Sequence, residues 1–222
     1  RVLSSLVKAR EADVTAPVRG IVFLLAENLG AVRRSAVDSH LALLKDEERR
    51  TLARLGIRFG LEHVFFPALL KAAPMRLRGL LWMAAHRDLP APLLPPEGRV
   101  SVPLAPGVPD TLYVACGYRP INDTGYRIDM LERFAAELRK LAREKVAVLP
   151  PATLSLLGIS MDTALGVLKA LGFRAKIDDA GLSFAVRRRT PAHIKAKRLA
   201  GGGAPAAPSD SPFAKLKELL PS

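Results

Sequence analysis

The chain has 222 residues, with 34 Lys and Arg against 21 Asp and Glu, and a net charge of +13 at neutral pH. That length holds one or two cores, and an apolar fraction of 49% suffices to fold most of it. A lone cysteine, Cys116, excludes a disulfide framework and a thiolate zinc site, and no apolar run approaches the ~20 residues of a membrane span.

Residues 1–56 read as helices. Pro17 suits a first helical turn, and Val18, Ile21, Val22, Leu25 and Leu29 give an apolar stripe that stops at Gly30. Lys45 to Leu55 predicts a second amphipathic helix, with Leu44, Leu52 and Leu55 inward. Asp46, Glu47 and Glu48 fall in its first turn, where the dipole favours them, and Gly56 ends it. Ile57 to Gly60 predicts a short strand, and Pro74 to His86 a helix whose apolar residues are Leu77, Leu80, Leu81 and Met83. The helical region as a whole covers 1–87.

Residues 88–110 carry seven prolines and form a connector, with Arg99-Val-Ser-Val102 as an edge strand inside it. Residues 111–148 are mixed. Leu112 to Cys116 is ambiguous between helix and strand, whereas Asp129 is expected to cap a helix reaching Glu144. That helix turns Met130, Phe134, Leu138 and Leu141 inward and leaves Arg133, Glu137, Arg139 and Lys140 exposed.

Residues 149–189 carry the most telling pattern. Two short apolar-periodic segments flank Gly158-Ile-Ser160; Gly158 can take the positive φ that ends one helix and Ser160 can cap the next. Leu154, Leu157, Leu165, Leu168 and Leu171 are expected inside. Phe173 to Ile177 and Leu182 to Arg187 predict two strands around the turn Asp178-Asp-Ala-Gly181. Helix, turn, helix and hairpin make a winged-helix-like module, a type often used to grip nucleic acid. Residues 190–222 read as a flexible basic tail, with Gly201-Gly-Gly-Ala-Pro-Ala-Ala-Pro as linker and Ser211 to Leu220 as a short terminal helix. The expected class is therefore α+β: mainly α with small β elements.

No enzyme motif is present in the sequence. There is no phosphate-cradling Gly-x-x-x-x-Gly-Lys-Ser/Thr loop, no acidic helicase box, and no Gly-x-Ser-x-Gly elbow. The four histidines, His40, His63, His86 and His193, have no ligand spacing. Neither a catalytic residue nor a metal site is therefore expected. With no initiator Met and a helix-like start, the chain reads as a piece of a longer protein in a reducing, cytoplasmic setting.

Three segments, in order, carry a resemblance. They are Leu55-Gly-Ile-Arg-Phe-Gly-Leu-Glu-His-Val-Phe-Phe-Pro-Ala-Leu-Leu-Lys71 with Arg76-Leu-Arg-Gly-Leu-Leu-Trp82; Ala115-Cys-Gly-Tyr-Arg119 with Arg127-Ile-Asp-Met-Leu-Glu-Arg133; and Leu154-Ser-Leu-Leu-Gly-Ile-Ser160 with Leu168-Lys-Ala-Leu-Gly-Phe173. Over about residues 20–190 the chain resembles the C-terminal region of bacterial superfamily-two RNA helicases, which are similar to the mitochondrial degradosome helicase. The resemblance implies a parent that hydrolyses ATP to move along or unwind RNA. ATP and Mg would bind upstream of Arg1, so none of those residues can be placed here.

Clustered Lys and Arg bind phosphate with little further design, so RNA is the expected partner, and a solvated basic surface is the competing reading. Aromatics at 5% argue against a stacking platform of the single-strand-binding type. The candidate contacts are Arg58, Lys71, Arg119, Arg174, Lys176, Arg187, Arg188, Arg189, Lys195, Lys197 and Arg198. For Arg119, Arg127 and Arg133 two roles stay open: phosphate contact, or pairing of the latter two with Asp129, Glu132 or Glu137. Trp82 reads as core or an interdomain anchor, with base stacking as the other role. Two functions follow: an accessory region that grips RNA for a helicase, or a module that docks a ribonuclease or ribosomal partner.

Overall fold

A computed structural model describes residues 3–88 and 92–186, and the structural statements below concern those residues. The N-terminal part begins with α1 (Ser4–Glu11) and α2 (Ala16–Glu27). Pro17 lies in the first turn of α2, where a missing N–H breaks no helical bond. Val18, Ile21, Val22 and Leu25 recur with the helical period and are all buried. The chain then turns through Leu29 and Gly30, both at positive φ, and a Cβ on Gly30 would lie 2.3 Å from Leu69 Cδ1.

The sequence up to residue 56 reads as helical, but strand β1 (Ala31–Arg33) interrupts it. Its cause is long-range pairing. Val32 lies opposite Val64 of β3 (His63–Phe65), and β2 (Arg58–Phe59) pairs along the other side of β3. A three-residue strand has no room to display a period. Helices α3 (Arg34–Leu43) and α4 (Asp46–Arg54) lie between β1 and β2. Glu48 in the first turn of α4 accepts from the Lys45 N–H at 2.7 Å; Leu44 and Leu52 are buried and Leu55 half-buried.

A short 3-10 turn (Pro67–Leu70) leads into α5 (Ala72–Ala85). The buried face of α5 differs from the expected one. Met75, Arg78, Gly79 and Trp82 point inward, while Leu80 and Leu81 are exposed at 44% and 42%. Gly79 sets this choice, because it lets other chain segments approach closely: a Cβ there would meet Leu94 Cδ2 at 2.6 Å and Cys116 Sγ at 2.8 Å.

In the middle part, β4 (Ser101–Pro103), β5 (Tyr118–Ile121) and β6 (Thr124–Arg127) form an antiparallel sheet in the order β4-β6-β5. The edge strand expected in the proline-rich connector is β4. Leu112 to Cys116, open between two readings, lies in and just after helix α6 (Asp110–Ala115), which buries Leu112, Tyr113 and Ala115. Helix α7 (Ile128–Arg143) follows directly from β6. Asp129 is not its cap; Arg127 occupies that position. Asp129 sits in the first turn and accepts from Arg127 Nε at 2.7 Å and Nη2 at 3.2 Å.

After α7, residues 147–149 run extended. Leu149 N–H donates to Leu182 O at 2.8 Å and Phe184 N–H to Ala147 O at 3.0 Å. Helix α8 (Pro151–Leu154), helix α9 (Met161–Ala170) and strands β7 (Phe173–Asp178) and β8 (Gly181–Val186) complete the chain as described. Gly158 takes φ 63°, and Ser160 caps α9 by accepting from the Thr163 N–H at 3.3 Å. Ala164, Val167, Leu168 and Leu171 face inward, whereas Leu165, expected inside, is only half-buried. Phe134 and Leu138 of α7 share this core with Leu168, Phe173, Leu182 and Phe184. The architecture is α+β, mainly helical with small antiparallel sheets. No described helix is long and apolar enough to cross a membrane.

Candidate nucleic-acid interface

Helix α7 is strongly two-faced. Leu131, Phe134, Leu138 and Leu141 are buried, so the helical period turns Arg133, Ala136, Arg139, Lys140 and Arg143 outward. What fixes α7 against the N-terminal sheet is a buried carboxylate. Glu132 accepts from three successive backbone N–H groups, those of Leu61, Glu62 (3.0 Å) and His63 (2.7 Å), and its Oε1 lies 3.0 Å from His63 Nδ1. Consecutive N–H groups converging on one anion form a backbone nest. Gly60 is required beside it, since a Cβ there would lie 2.4 Å from the Glu132 carboxyl carbon. Arg34 Nη1 donates to Gly60 O at 2.9 Å and holds the same turn from α3.

This clamp brings β2 alongside α7 and with it Arg58. Three grooves meet at Ala136. One of about 590 Å³ is bordered by Arg58 and Arg133 and floored by Phe59, Leu61 and Phe65. A second, about 410 Å³, has Arg139 and Arg143 with Leu61 and Val186. The third, about 600 Å³, lies between Arg133, Lys140 and Arg143 and the Thr153–Leu156 turn after α8 begins. Lys140 pairs with Glu137 at 3.6 Å, but Arg58, Arg133, Arg139 and Arg143 form no ion pair among the described residues. Three open guanidinia spread over nearly three turns of α7, with Arg58 from β2 beside them, create a positive surface, and each can donate two parallel hydrogen bonds to a phosphate.

The other candidates lie elsewhere. Arg119 is buried, not on a surface open to phosphate. It donates to Glu62 Oε2 at 3.0 Å and to Ala170 O at 3.1 Å, tying β5 to the β2–β3 turn and to the end of α9. Burial pulls its guanidinium below the ordinary value, and Glu62 opposes that pull. Lys71 is exposed at the start of α5 and does not border the Arg58 groove. Arg174 and Lys176 are exposed on alternate positions of β7, and Lys176 Nζ is held by Asp178 at 3.0 Å. Arg127 is taken by Asp129. Arg187, Arg188, Arg189, Lys195, Lys197 and Arg198 lie outside the described residues. Trp82 is buried and stacks on His86, with ring centroids 4.0 Å apart.

Arg139 and Arg143 are the residues that the sequence reading missed as contacts. Their exposure follows from the α7 period; their company does not, because only the Glu132 clamp brings Arg58 to them.

A second buried cation sits apart from this surface. Arg78 is fully buried and donates to Leu69 O at 3.2 Å, and its Nε and Nη2 have no hydrogen-bond partner among the described residues. Burial lowers its guanidinium to about 10, and burial raises the neighbouring Cys116 thiol to about 11.

Comparison with protein-family models, with curated proteins and with solved structures gives no match to this chain.

Proposed function

We propose that this chain is the accessory, RNA-gripping C-terminal region of an ATP-dependent RNA helicase. It holds the nucleic acid while motor domains elsewhere in the parent bind ATP and Mg and hydrolyse the nucleotide. The observation that carries the proposal is the set of guanidinia of Arg58, Arg133, Arg139 and Arg143, gathered around Ala136 with no ion pair among the described residues. The net charge of +13 and the helicase-like segments support it. So does the order helix α7, extended 147–149, α8, α9 and the β7–β8 hairpin, which contains the helix, turn, helix and hairpin that the winged-helix-like reading calls for. In such modules the second helix of the helix-turn-helix commonly reads nucleic acid. Here that helix, α9, has Lys169 as its one cation and Asp162 as its one anion, so the grip is assigned to α7 and not to α9.

The sequence from Arg187 to Arg198 adds six further Lys and Arg to the chain's net positive charge. The test is binding of a single-stranded RNA to the 222-residue chain without ATP. Salt-sensitive binding of unrelated sequences supports the proposal; no binding at low salt contradicts it.

A second reading, docking of a ribonuclease or ribosomal partner, is favoured by one feature. The sparsely charged α9 exposes Met161 at 47%. That reading requires little RNA binding by the chain itself.

A further inference from the structure

Resting on the RNA-gripping reading, we infer that the groove between Arg58 and Arg133 holds an unpaired nucleobase, with the two guanidinia on the phosphates that flank it. The groove is about 590 Å³, inside the roughly 300–1,000 Å³ typical of small-molecule sites. Its floor is apolar and partly aromatic: Phe59 and Leu61 are half-buried, Phe65 is buried, and Ala136 is exposed on the α7 side. Its rim is cationic. The two carboxylates nearby are already engaged, Asp129 by Arg127 and Glu132 by the turn N–H groups and His63. A flat, uncharged body carried between two anions matches a floor of this kind inside a rim of this kind, and a nucleotide has that form.

Two other occupants fit less well. The chain's own continuation opens with Arg187-Arg188-Arg189, which has the same sign as the rim. A duplex would present phosphates to Arg58 and Arg133 but keep its bases stacked inside, leaving the apolar floor uncovered. The occupant is therefore a single strand. The low aromatic content fits one such pocket, not a platform of several.

The experiment compares two single-stranded RNAs of equal length, one normal and one abasic throughout, bound to the full 222-residue chain at fixed low salt. Both carry the same phosphates, so only the base contribution differs. Stacking one base on an aromatic side chain is worth roughly five- to 150-fold in affinity. The wild-type chain should prefer the normal strand by at least about that lower factor. Phe59→Ala should lose the preference while binding the abasic strand as wild type does. Because Phe59 also packs partly against the N-terminal core, Ala136→Leu is the second variant. It fills the groove from an exposed helical position and should abolish the preference in the same way. An equal affinity of wild type for both strands, or a preference that survives both substitutions, overturns the base pocket and leaves the basic-surface reading intact. Failure of the chain to bind either strand overturns both.

Discussion

Gly60 and Glu132 meet so closely that a Cβ on the glycine would lie 2.4 Å from the carboxyl carbon. The contact is the hinge-pin of the candidate surface, because the same carboxylate gathers the N–H groups of Leu61, Glu62 and His63. Gly60→Ala must displace Glu132 and strand three N–H donors, that of His63 buried and those of Leu61 and Glu62 partly buried, where a buried donor left unpaired costs about 1–3 kcal/mol. We predict a loss of about 3 kcal/mol or more in denaturant unfolding. Glu132→Ala should be similarly destabilising. The double substitution should cost clearly less than the two single losses added, because both act through one contact. Additive losses would show that Gly60 and Glu132 matter for separate reasons.

Leu168 is fully enclosed in the core shared by α7, α9 and the hairpin, and Leu165 on the same helix is half-buried. Leu168→Ala should therefore lower stability by about 2–5 kcal/mol, with Leu165→Ala costing less. Equal melting curves for Leu168→Ala and wild type would contradict this register of α9.

How much of this was legible in the sequence follows from the range of the forces involved. Helices α2, α4 and α7, the Gly158 and Ser160 signals and the hairpin at Asp178–Gly181 are set by neighbours a few residues apart, and they were read from the residues alone. Strand β1 was not, because its three residues are strand only by pairing with β3. The inward face of α5 was misjudged because Gly79, lacking a side chain, shows no hydrophobicity, yet it admits Cys116 and Leu94. For the candidate site, the exposed cations of α7 were visible as a helical period. The burial of Arg119 and the arrival of Arg58 beside Arg133 were not, since both depend on contacts between distant segments.

Arg78 offers a test of a different kind. A buried guanidinium with, among the described residues, one hydrogen bond and two unpartnered nitrogens carries desolvation that its single bond does not offset. Arg78→Met keeps the length and removes the charge. Stability should stay level or rise, by up to about 4 kcal/mol. A marked loss would mean that the guanidinium is held by partners beyond Leu69.

The Cys116 thiol gives a pH dependence whose sign is fixed. Burial raises it from 9.0 to about 11, so the folded chain keeps its proton where the unfolded chain has lost it. The contribution is fully present below pH 9 and is lost as pH climbs to 11. Arg78, pulled down by burial to about 10, acts in the opposite direction, and only above pH 10. Between pH 9 and 10 the unfolding free energy should therefore fall for the wild type and fall less for Cys116→Ala. Parallel pH profiles would remove the thiol as the cause.

The central claim is that the open guanidinia around Ala136 grip an RNA backbone. The most direct measurement is a salt titration of single-stranded RNA binding for the wild-type chain and for a variant with Arg58, Arg133, Arg139 and Arg143 all replaced by Ala. Each phosphate neutralised on a single strand contributes about −0.7 to the slope of log affinity against log salt. The account predicts that the variant binds more weakly on unrelated sequences alike, with a slope flatter by about 0.7 for each contact removed. Identical affinities and identical slopes for the two chains would contradict it.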